Sequence, residues 1–331
     1  MSPASKPVIT IEPASLSMRA EILDFLAKGF ELPSPYNQDP AAFFRSLIYS
    51  PWLEKQQNLG MVLRVDHALQ GFIGAIVANR PLQGHSVAVC NTTTWLITPE
   101  HRKYSLGLIQ ALFKAYPDTL FTSLTPSPIF SQLAGLMGFK AWDSGMTLIP
   151  ILNWRRQDWA KPHPKIILNP SKIMGHLDQA NQQLFSDHLK EGGVGVLIIE
   201  GEQQLFTILL RKAHGASGRG DVMHVSDIER FNRWLPWVSL ACWWQLGVSR
   251  IAIPQRWFTR QEGLAWEYME KHILYKGKNL PAPEALDMLY TESFSNARMD
   301  SLQGASPWKK NTARLFALGV AVKARIKAFR R

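Results

Sequence analysis

The sequence predicts a mixed α/β protein made of two similar halves. Three observations predict it. Short β-rich runs alternate with helical stretches along the 331 residues. A hairpin followed by a strand–turn–helix occurs twice. A polar, Trp- and Pro-rich stretch at 153–170 reads as a linker between the two occurrences. The length exceeds that of a usual single core, and 46% hydrophobic against 19% charged residues fits a globular chain with sizeable cores.

Residues 8–12 (Val-Ile-Thr-Ile-Glu) alternate as a strand. Ser15 or Ser17 supplies an N-cap for a helix through Ala27, with Ile22, Phe25 and Leu26 on its apolar side. Residues 31–40 form a loop, and a short helix follows. Strands at 61–65 and 72–79 flank Asp66-His-Ala-Leu-Gln-Gly71 as a hairpin. Residues 87–97 are the next strand, followed by a basic turn and an amphipathic helix to Phe113. Residues 119–125 are β-rich. A helical stretch after Pro126-Ser127-Pro128 closes on Gly138-Phe139. The order is βααβββαβαβ.

The second half predicts a helix at 177–190, a hairpin of 194–200 with 204–211, and a strand at 222–225. A helix at 228–246, a strand at 248–254, a helix near 263–272 and a closing strand at 286–291 follow. The expected domains are 1–152, a linker at 153–170, a second domain at 171–300, and a basic amphipathic helix at 307–331.

The most informative stretch runs from Trp95 to Phe113: Trp95-Leu-Ile97-Thr-Pro99-Glu100-His-Arg102-Lys103-Tyr104-Ser105-Leu106-Gly107 and onward. A strand feeding a turn at a helix N-terminus presents free backbone N–H groups to an anion. Small residues at 105 and 107 allow close approach of a phosphate, and Arg102 and Lys103 add positive charge. That chemistry suits a pyrophosphate.

This stretch resembles the acyl-CoA loop of the GNAT acyltransferase superfamily, whose pattern is Gln/Arg-x-x-Gly-x-Gly/Ala after a strand ending in Pro-Glu. Here it stands as Arg102-x-x-Ser105-x-Gly107 after Pro99-Glu100. Ser105 departs from the family's glycine, and serine tolerates a positive φ poorly. A second resemblance lies downstream, where the family carries Asn-x-x-Ala-x-x-Leu-Tyr-x-x-x-Gly-Phe. Ser127 falls at the Asn position, Phe130 at Ala, Leu133 at Leu, and Ala134 at the Tyr that often protonates the leaving thiolate.

The resemblance implies two GNAT-like mixed α/β domains in tandem, the second degenerate. It implies acetyl-CoA or another acyl-CoA as co-substrate. Trp95 and Ile97 would pair their main chain with the pantetheine, while Arg102, Lys103, Tyr104, Ser105, Leu106, Gly107 and Ser127 would hold the remainder of the donor. Period-two alternation puts Asn91 and Thr93 on one face with Trp95 and Ile97. They are the candidate catalytic residues, ordering a water that relays the amine's proton. Glu31, Tyr36 and Asp39 are the alternative bases. In the second half, Ser226-Asp227 forms a simple N-cap, and an acidic cap opposes phosphate binding, so no CoA is expected there.

Cys90 and Cys242 sit in apolar runs and read as core residues. The nine histidines show no paired ligand spacing, so no metal is expected. No apolar signal core opens the chain, and no stretch reaches the ~20 apolar residues of a span, so a cytoplasmic location is expected. Eight of the basic residues fall between Lys309 and Arg331 with no acidic residue among them; without them the net charge of +11 drops to +3. Trp308, Leu315, Phe316, Leu318, Val322, Ile326 and Phe329 recur at helical spacing between these charges. The tail reads as an element for an anionic membrane surface, on the inner face of the membrane, or as a helix packed on the body. Nucleic acid is the weaker partner, because no recognised module accompanies the charge.

The expected function is acyl transfer from acyl-CoA to an amine, less readily a hydroxyl, on a small molecule or a cell-envelope carbohydrate precursor. The membrane-surface reading of the tail and exposed aromatics motivate the carbohydrate, with Trp257 and Trp266 as candidates to stack on it; the cluster Trp234, Trp237, Trp243 and Trp244 reads as core. The basic loop at 211–221 reads as a solvated hairpin end or a contact for an anionic acceptor. Two alternatives stand beside this: a Fem-type transferase using aminoacyl-tRNA, and a non-catalytic protein that keeps the fold.

Overall fold

The computed structural model describes residues 6–32, 36–56, 58–82, 85–150, 164–212, 218–259, 267–278 and 280–294. They form two compact units that interleave along the chain. The first comprises Met1–Trp142, Ile273–Ala285 and Tyr290–Met299; the second comprises Asp143–His272, Leu286–Leu289 and Asp300–Arg331. Sequence alone suggested consecutive domains.

The first unit begins with β1 (Ile9–Ser15), α1 (Arg19–Gly29), α2 (Pro40–Ile48) and α3 (Pro51–Glu54). Then come β2 (Asn58–Val65), β3 (Ala68–Leu82), β4 (His85–Ile97), α4 (Ser105–Ala115), β5 (Leu120–Ser123) and α5 (Pro128–Ala134). β6 (Lys140–Pro150) starts in the first unit and runs on in the second. The second unit continues with β7 (Lys165–Ile167), α6 (Pro170–Met174), α7 (Gln179–Lys190), β8 (Gly193–Glu200) and β9 (Gln203–Lys212). β10 (Gly218–Val225), α8 (Ile228–Leu246) and β11 (Val248–Pro254) follow, and β12 (Glu267–Lys276) starts in the second unit and ends in the first, where it pairs with β5.

Strands of the first unit lie in the order β1-β2-β3-β4-β5-β12, with only β4 and β5 parallel. Strands of the second lie in the order β7-β8-β9-β10-β11-β6, with only β10 and β11 parallel. The two lists match strand for strand. The sixth strand of each list is the exception in chain order: β12, from late in the chain, pairs with β5, and β6, from the middle, pairs with β11. An antiparallel partner needs only a complementary edge, so sequence distance does not forbid the exchange.

Local signals account for most elements. Asp39 caps α2, Ser127 α5, Asn169 α6, Asp178 α7 and Asp227 α8, each side chain accepting a main-chain N–H of the first turn. Gly247, in the left-handed region at φ 66°, ends α8. The β2–β3 hairpin turns on Asp66 and His67 alone, both at positive φ (49° and 69°), and residues 68–71 join β3 rather than the turn. α4 buries Leu108, Ile109 and Leu112 against Leu63, Ile73, Cys90 and Ile97. In the second unit α8 buries Phe231, Trp234, Leu235, Val238 and Cys242 against Val196, Leu209, Val222 and Ile251. Each such apolar side chain contributes about 1.5–3 kcal/mol.

Several sequence expectations fail here. Neither Ser15 nor Ser17 caps α1; their hydroxyls bond each other at 2.7 Å, and a 3-10 turn leads into the helix at Arg19. Residues 165–167 of the expected linker form β7, because they pair with Leu197–Ile199 of β8; residues 151–163 lie outside the described ones. The helix expected near 263–272 is strand β12 from Glu267 on, where pairing with β5 overrides local pattern. The closing strand expected at 286–291 makes no ladder: Leu286, Met288 and Leu289 are buried, a pattern periodicity cannot assign. Trp257 is 2% exposed and belongs to the α8 core, so it offers no sugar platform. Trp266, the stretch 213–217 and the tail 307–331 lie outside the described residues. Among the described residues no helix is long and apolar enough to cross a membrane.

Candidate active site

The site grows from a parting of strands. β4 pairs with β5 from Val89↔Leu120 to Asn91↔Thr122 and no further. Beyond Asn91, β4 continues to Ile97 paired with β3 alone. The edge it turns toward β5 is therefore main chain without a ladder, the kind of edge an extended amide ligand can pair with.

A bulge sits in this splayed stretch. Trp95 faces Ile73 and Thr93 faces Gly74, leaving Thr94 as the extra residue at φ 22°. The bulge shifts the alternation by one. Cys90 and, past the bulge, Trp95 and Ile97 pack on the α4 side, whereas Leu96 lies against Gly29 of α1. The expectation that Asn91 and Thr93 share a face with Trp95 and Ile97 is corrected by this extra residue. Gly74 is required beneath it, since a Cβ there would strike the Thr93 and Thr94 hydroxyls.

The parting opens a cleft of about 230 Å³. Thr93, Ser123, Thr125, Ser127 and Glu292 give it a polar centre. Trp95, Ile109 and Phe130 close it on the α4 side, with the Trp95 and Phe130 rings edge to face at 5.6 Å. Phe30 and Leu32, from the segment after α1, and Phe43, Phe44 and Leu47, from α2, line the other side.

Asn91 does not line the cleft. It is 1% exposed; its Nδ2 donates to Thr122 O and Oγ1 at 3.4 Å, and its Oδ1 accepts Glu292 N–H at 3.1 Å. That amide is buried between Thr122 and Glu292 and away from the cleft lining, so it is not placed to order a relay water there. Thr93 does line the cleft, with its hydroxyl 3.3 Å from that of Thr94. Of the alternative bases, Asp39 is used as the cap of α2, Glu31 is exposed, and neither lines the cleft. The Tyr36 side chain lies outside the described ones.

The carboxylate of the cleft is Glu292, which the sequence did not signal. It is 6% exposed, and its Oε1 accepts the Thr125 hydroxyl at 2.8 Å. It stands in a short Thr-Glu-Ser run with no periodicity or motif, far from β4 in the chain. Only folding brings it there.

The basic turn differs in detail from the expected loop. Pro99–Tyr104 is a 3-10 turn passing directly into α4. Ser105 is helical (φ −53°, ψ −47°), so no positive φ is asked of it. Gly107 faces Ile11 of β1, where an added Cβ would come within 3.3 Å; its smallness serves helix–sheet packing. Arg102 and Lys103 are exposed, and Lys103 Nζ lies 5.1 Å from the Tyr104 ring centroid. The Thr98 hydroxyl donates to Gln70 Oε1 and lies 3.0 Å from His101 Nδ1, fixing the start of the turn. Leu106 is half exposed at 52%. Ser127 lines the cleft, but its hydroxyl accepts Phe130 N–H at 3.1 Å as the cap of α5. Ala134 is buried in the α4 core, with no hydroxyl to offer a leaving group.

Burial pushes the Cys90 thiol far up and that of Cys242 up to about 12, so neither is a nucleophile at neutral pH. Among the described residues no cluster of His, Cys, Asp or Glu could hold a metal. Arg219, in the basic stretch read as a solvated hairpin end or a contact for an anionic acceptor, is held in a two-pronged pair by Asp221 at 2.6 and 3.1 Å.

No protein-family model matches the chain, and no curated protein sequence matches it. Solved structures do. A GCN5-related N-acetyltransferase from Anabaena variabilis superposes with a TM-score of 0.52 at 10% identity over 81% of this chain and 72% of that one. One from Kribbella flavida gives 0.52 at 8% identity over 83% and 72%. A fungal GCN5-related glucosamine N-acetyltransferase region, within a multi-domain β-N-acetylglucosaminidase, gives 0.55 at 11% identity over 82% of this chain and 38% of that one. The fold is that of the GCN5-related N-acetyltransferases, with two such α/β units in one chain.

Proposed function

We propose that the first unit transfers an acyl group from acyl-CoA to an amine. The observation that carries this reading is the parted β4–β5 pair with a buried carboxylate, Glu292, in the opening. The pantetheine amides pair with the free edge of β4 at Trp95 and Ile97. The pyrophosphate lies at the start of α4, beside Arg102 and Lys103, where the helix dipole and the two cations favour it. Tyr104, Ser105, Leu106 and Gly107 form the first-turn main chain there; Ser127 borders the thioester end.

Glu292 takes the proton from the incoming ammonium, directly or through one water. The neutral nitrogen attacks the thioester carbonyl, the C–N bond forms, and the C–S bond breaks. The Thr93 hydroxyl is the polar group at hand to steady the oxyanion, since that of Thr125 donates to Glu292. With Ala134 in place of a phenol, the nitrogen sheds its remaining excess proton to solvent as the amide forms, and the departing thiolate takes one up from solvent. The acyl group is acetyl or longer, and the acceptor's carbohydrate character, expected from sequence, has no support in the cleft's lining.

Calorimetric titration with acetyl-CoA tests the donor half of this reading, on the parent and on an Arg102→Glu, Lys103→Glu double variant. Both positions are exposed, so the variant keeps its fold. Micromolar binding, weakened at least tenfold in the variant, supports the reading. No binding by the folded parent removes it, and aminoacyl-tRNA binding with a steep salt slope would replace it with the Fem-type alternative. Turnover is read by thiol release with a chromogenic disulfide, since both cysteines are buried and silent. The tail 307–331 we propose as a contact for an anionic leaflet; co-sedimentation with phosphatidylserine vesicles, parent against a 307–331 deletion, decides it.

A further inference from the structure

Resting on the acyl-transfer reading, we infer that the acceptor is a small amine with an apolar body, a single ring or short alkyl chain, and that Phe30, Leu32, Phe43, Phe44 and Leu47 select it. Glu292 is the charged side chain among the described cleft-lining residues. An ammonium group is the ligand chemistry that a buried carboxylate favours, and the two must meet in the polar centre of the cleft.

The wall beyond that centre offers nothing polar. The Phe30 and Phe44 rings lie 5.4 Å apart, and Phe43 stands edge to face on Phe44 at 5.1 Å. A fully buried Phe44 locks this arrangement, while Phe30, Leu32 and Phe43 keep partial exposure on the cleft side. A sugar's hydroxyls would lose their water against these rings and gain no hydrogen bond in return, a cost of about 1–3 kcal/mol per group. An apolar body loses water favourably, and an ammonium beside aromatic faces adds a cation–π attraction. Size limits the choice further. A cavity of roughly 150 Å³ holds one benzene, so about 230 Å³, shared with the thioester, admits one ring or a short chain.

The same wall could instead take a long acyl chain, and the carboxylate argues against that occupant. A methylene chain gains nothing from Glu292, whereas an amine sets its ammonium against the carboxylate's charge and its body against the wall.

The experiment compares 2-phenylethylamine, hexylamine, glucosamine and spermidine at saturating acetyl-CoA, and acetyl-CoA with octanoyl-CoA at saturating 2-phenylethylamine. Amine binding is also read by calorimetry without a donor, so that it does not depend on turnover. The expected result is kcat/KM for the two apolar amines at least tenfold above glucosamine and spermidine, with the margin lost in Phe43→Ser and kept in Phe43→Leu. A preference for glucosamine or spermidine overturns the inference. So does a preference for octanoyl-CoA that Phe43→Ser abolishes, which gives the wall to the donor. If no amine turns over but 2-phenylethylamine binds and the binding is lost in Glu292→Gln and Phe43→Ser, the recognition stands and the transferase reading fails. If acetyl-CoA binds and no apolar amine does, the recognition fails and the donor half of the reading stands.

Discussion

The two units part their parallel strands at matching places and then treat the gap differently. In the first, β4 and β5 part after Asn91↔Thr122; in the second, β10 and β11 part after Asp221↔Ala252. The first gap is a cleft. In the second, the segment Leu286–Leu289 lies in the gap: Met288 donates its N–H to Met223 O at 2.9 Å, and Asp287 Oδ2 lies 2.8 Å from His224 Nδ1. The main-chain edge that a pantetheine would use is thus taken by the protein's own backbone. A few residues later, the same stretch meets the first gap only through side chains and one amide, Glu292 N–H on Asn91 Oδ1. One continuous segment therefore fills one gap and arms the other. A splayed strand pair is a vacancy in hydrogen bonding, and its use depends on what the chain supplies to it.

The largest effect that sharpens the contrast is chemical. Glu292→Gln lowers kcat roughly a hundredfold or more while acetyl-CoA affinity stays within threefold, the mark of a lost base. Asp287→Asn, the acidic residue of the filled gap, instead lowers stability by about 1–3 kcal/mol, since it removes a buried charged partner of His224. Urea denaturation and steady-state kinetics on the two variants separate these roles, and equal kinetic losses from both would erase the distinction.

Charge reversal at Arg102 and Lys103 comes next. The loss of acetyl-CoA affinity should shrink as salt rises from 50 to 500 mM, because both groups are exposed and screened. A salt-independent loss would mean that the turn acts through its shape.

A smaller effect tests the frame of the open unit. Arg64 binds Glu21 in a two-pronged pair at 2.6 and 2.8 Å and Glu12 at 3.0 Å, and this guanidinium holds the Glu21 carboxyl below its ordinary range. A depressed carboxylate contributes stability above its unfolded pKa and loses it as pH falls through the folded value. Arg64→Met therefore costs about 1 kcal/mol or less at pH 7, since Glu21 is 45% exposed, and the gap between variant and parent closes as pH falls through the depressed value of Glu21, below the ordinary glutamate range. Thermal melts at pH 7 and pH 3 read this directly. Last, His67→Gly relieves a non-glycine residue at φ 69° and raises stability by roughly 0.5–1 kcal/mol. A lower melting temperature would show that the His67 side chain contributes more than the strain.

Much of this was written locally. Alternation and turn residues located the β2–β3 and β8–β9 hairpins. Helical pattern located α7, and a cap with helical pattern located α8, with the bounds of α8 and β11 falling where the pattern put them. The strand–turn–helix at 95–113 carried the resemblance to an acyl-CoA loop because its residues are adjacent in the chain. Ser105 and Gly107 were legible as small, but not why: one is plain helix, the other a packing contact with Ile11.

What only the tertiary structure decided is non-local. The bulge at Thr94 turned Trp95 and Ile97 to the face opposite Thr93, and no propensity marks a bulge. The placing of β12 beside β5 and of β6 beside β11 is a choice of edge, made by pairing partners a hundred or more residues apart in sequence. Glu292 became the carboxylate of the cleft because residues 286–294 followed two strand gaps. A sequence records the periodicity of a segment with itself; it does not record which buried edge that segment will meet.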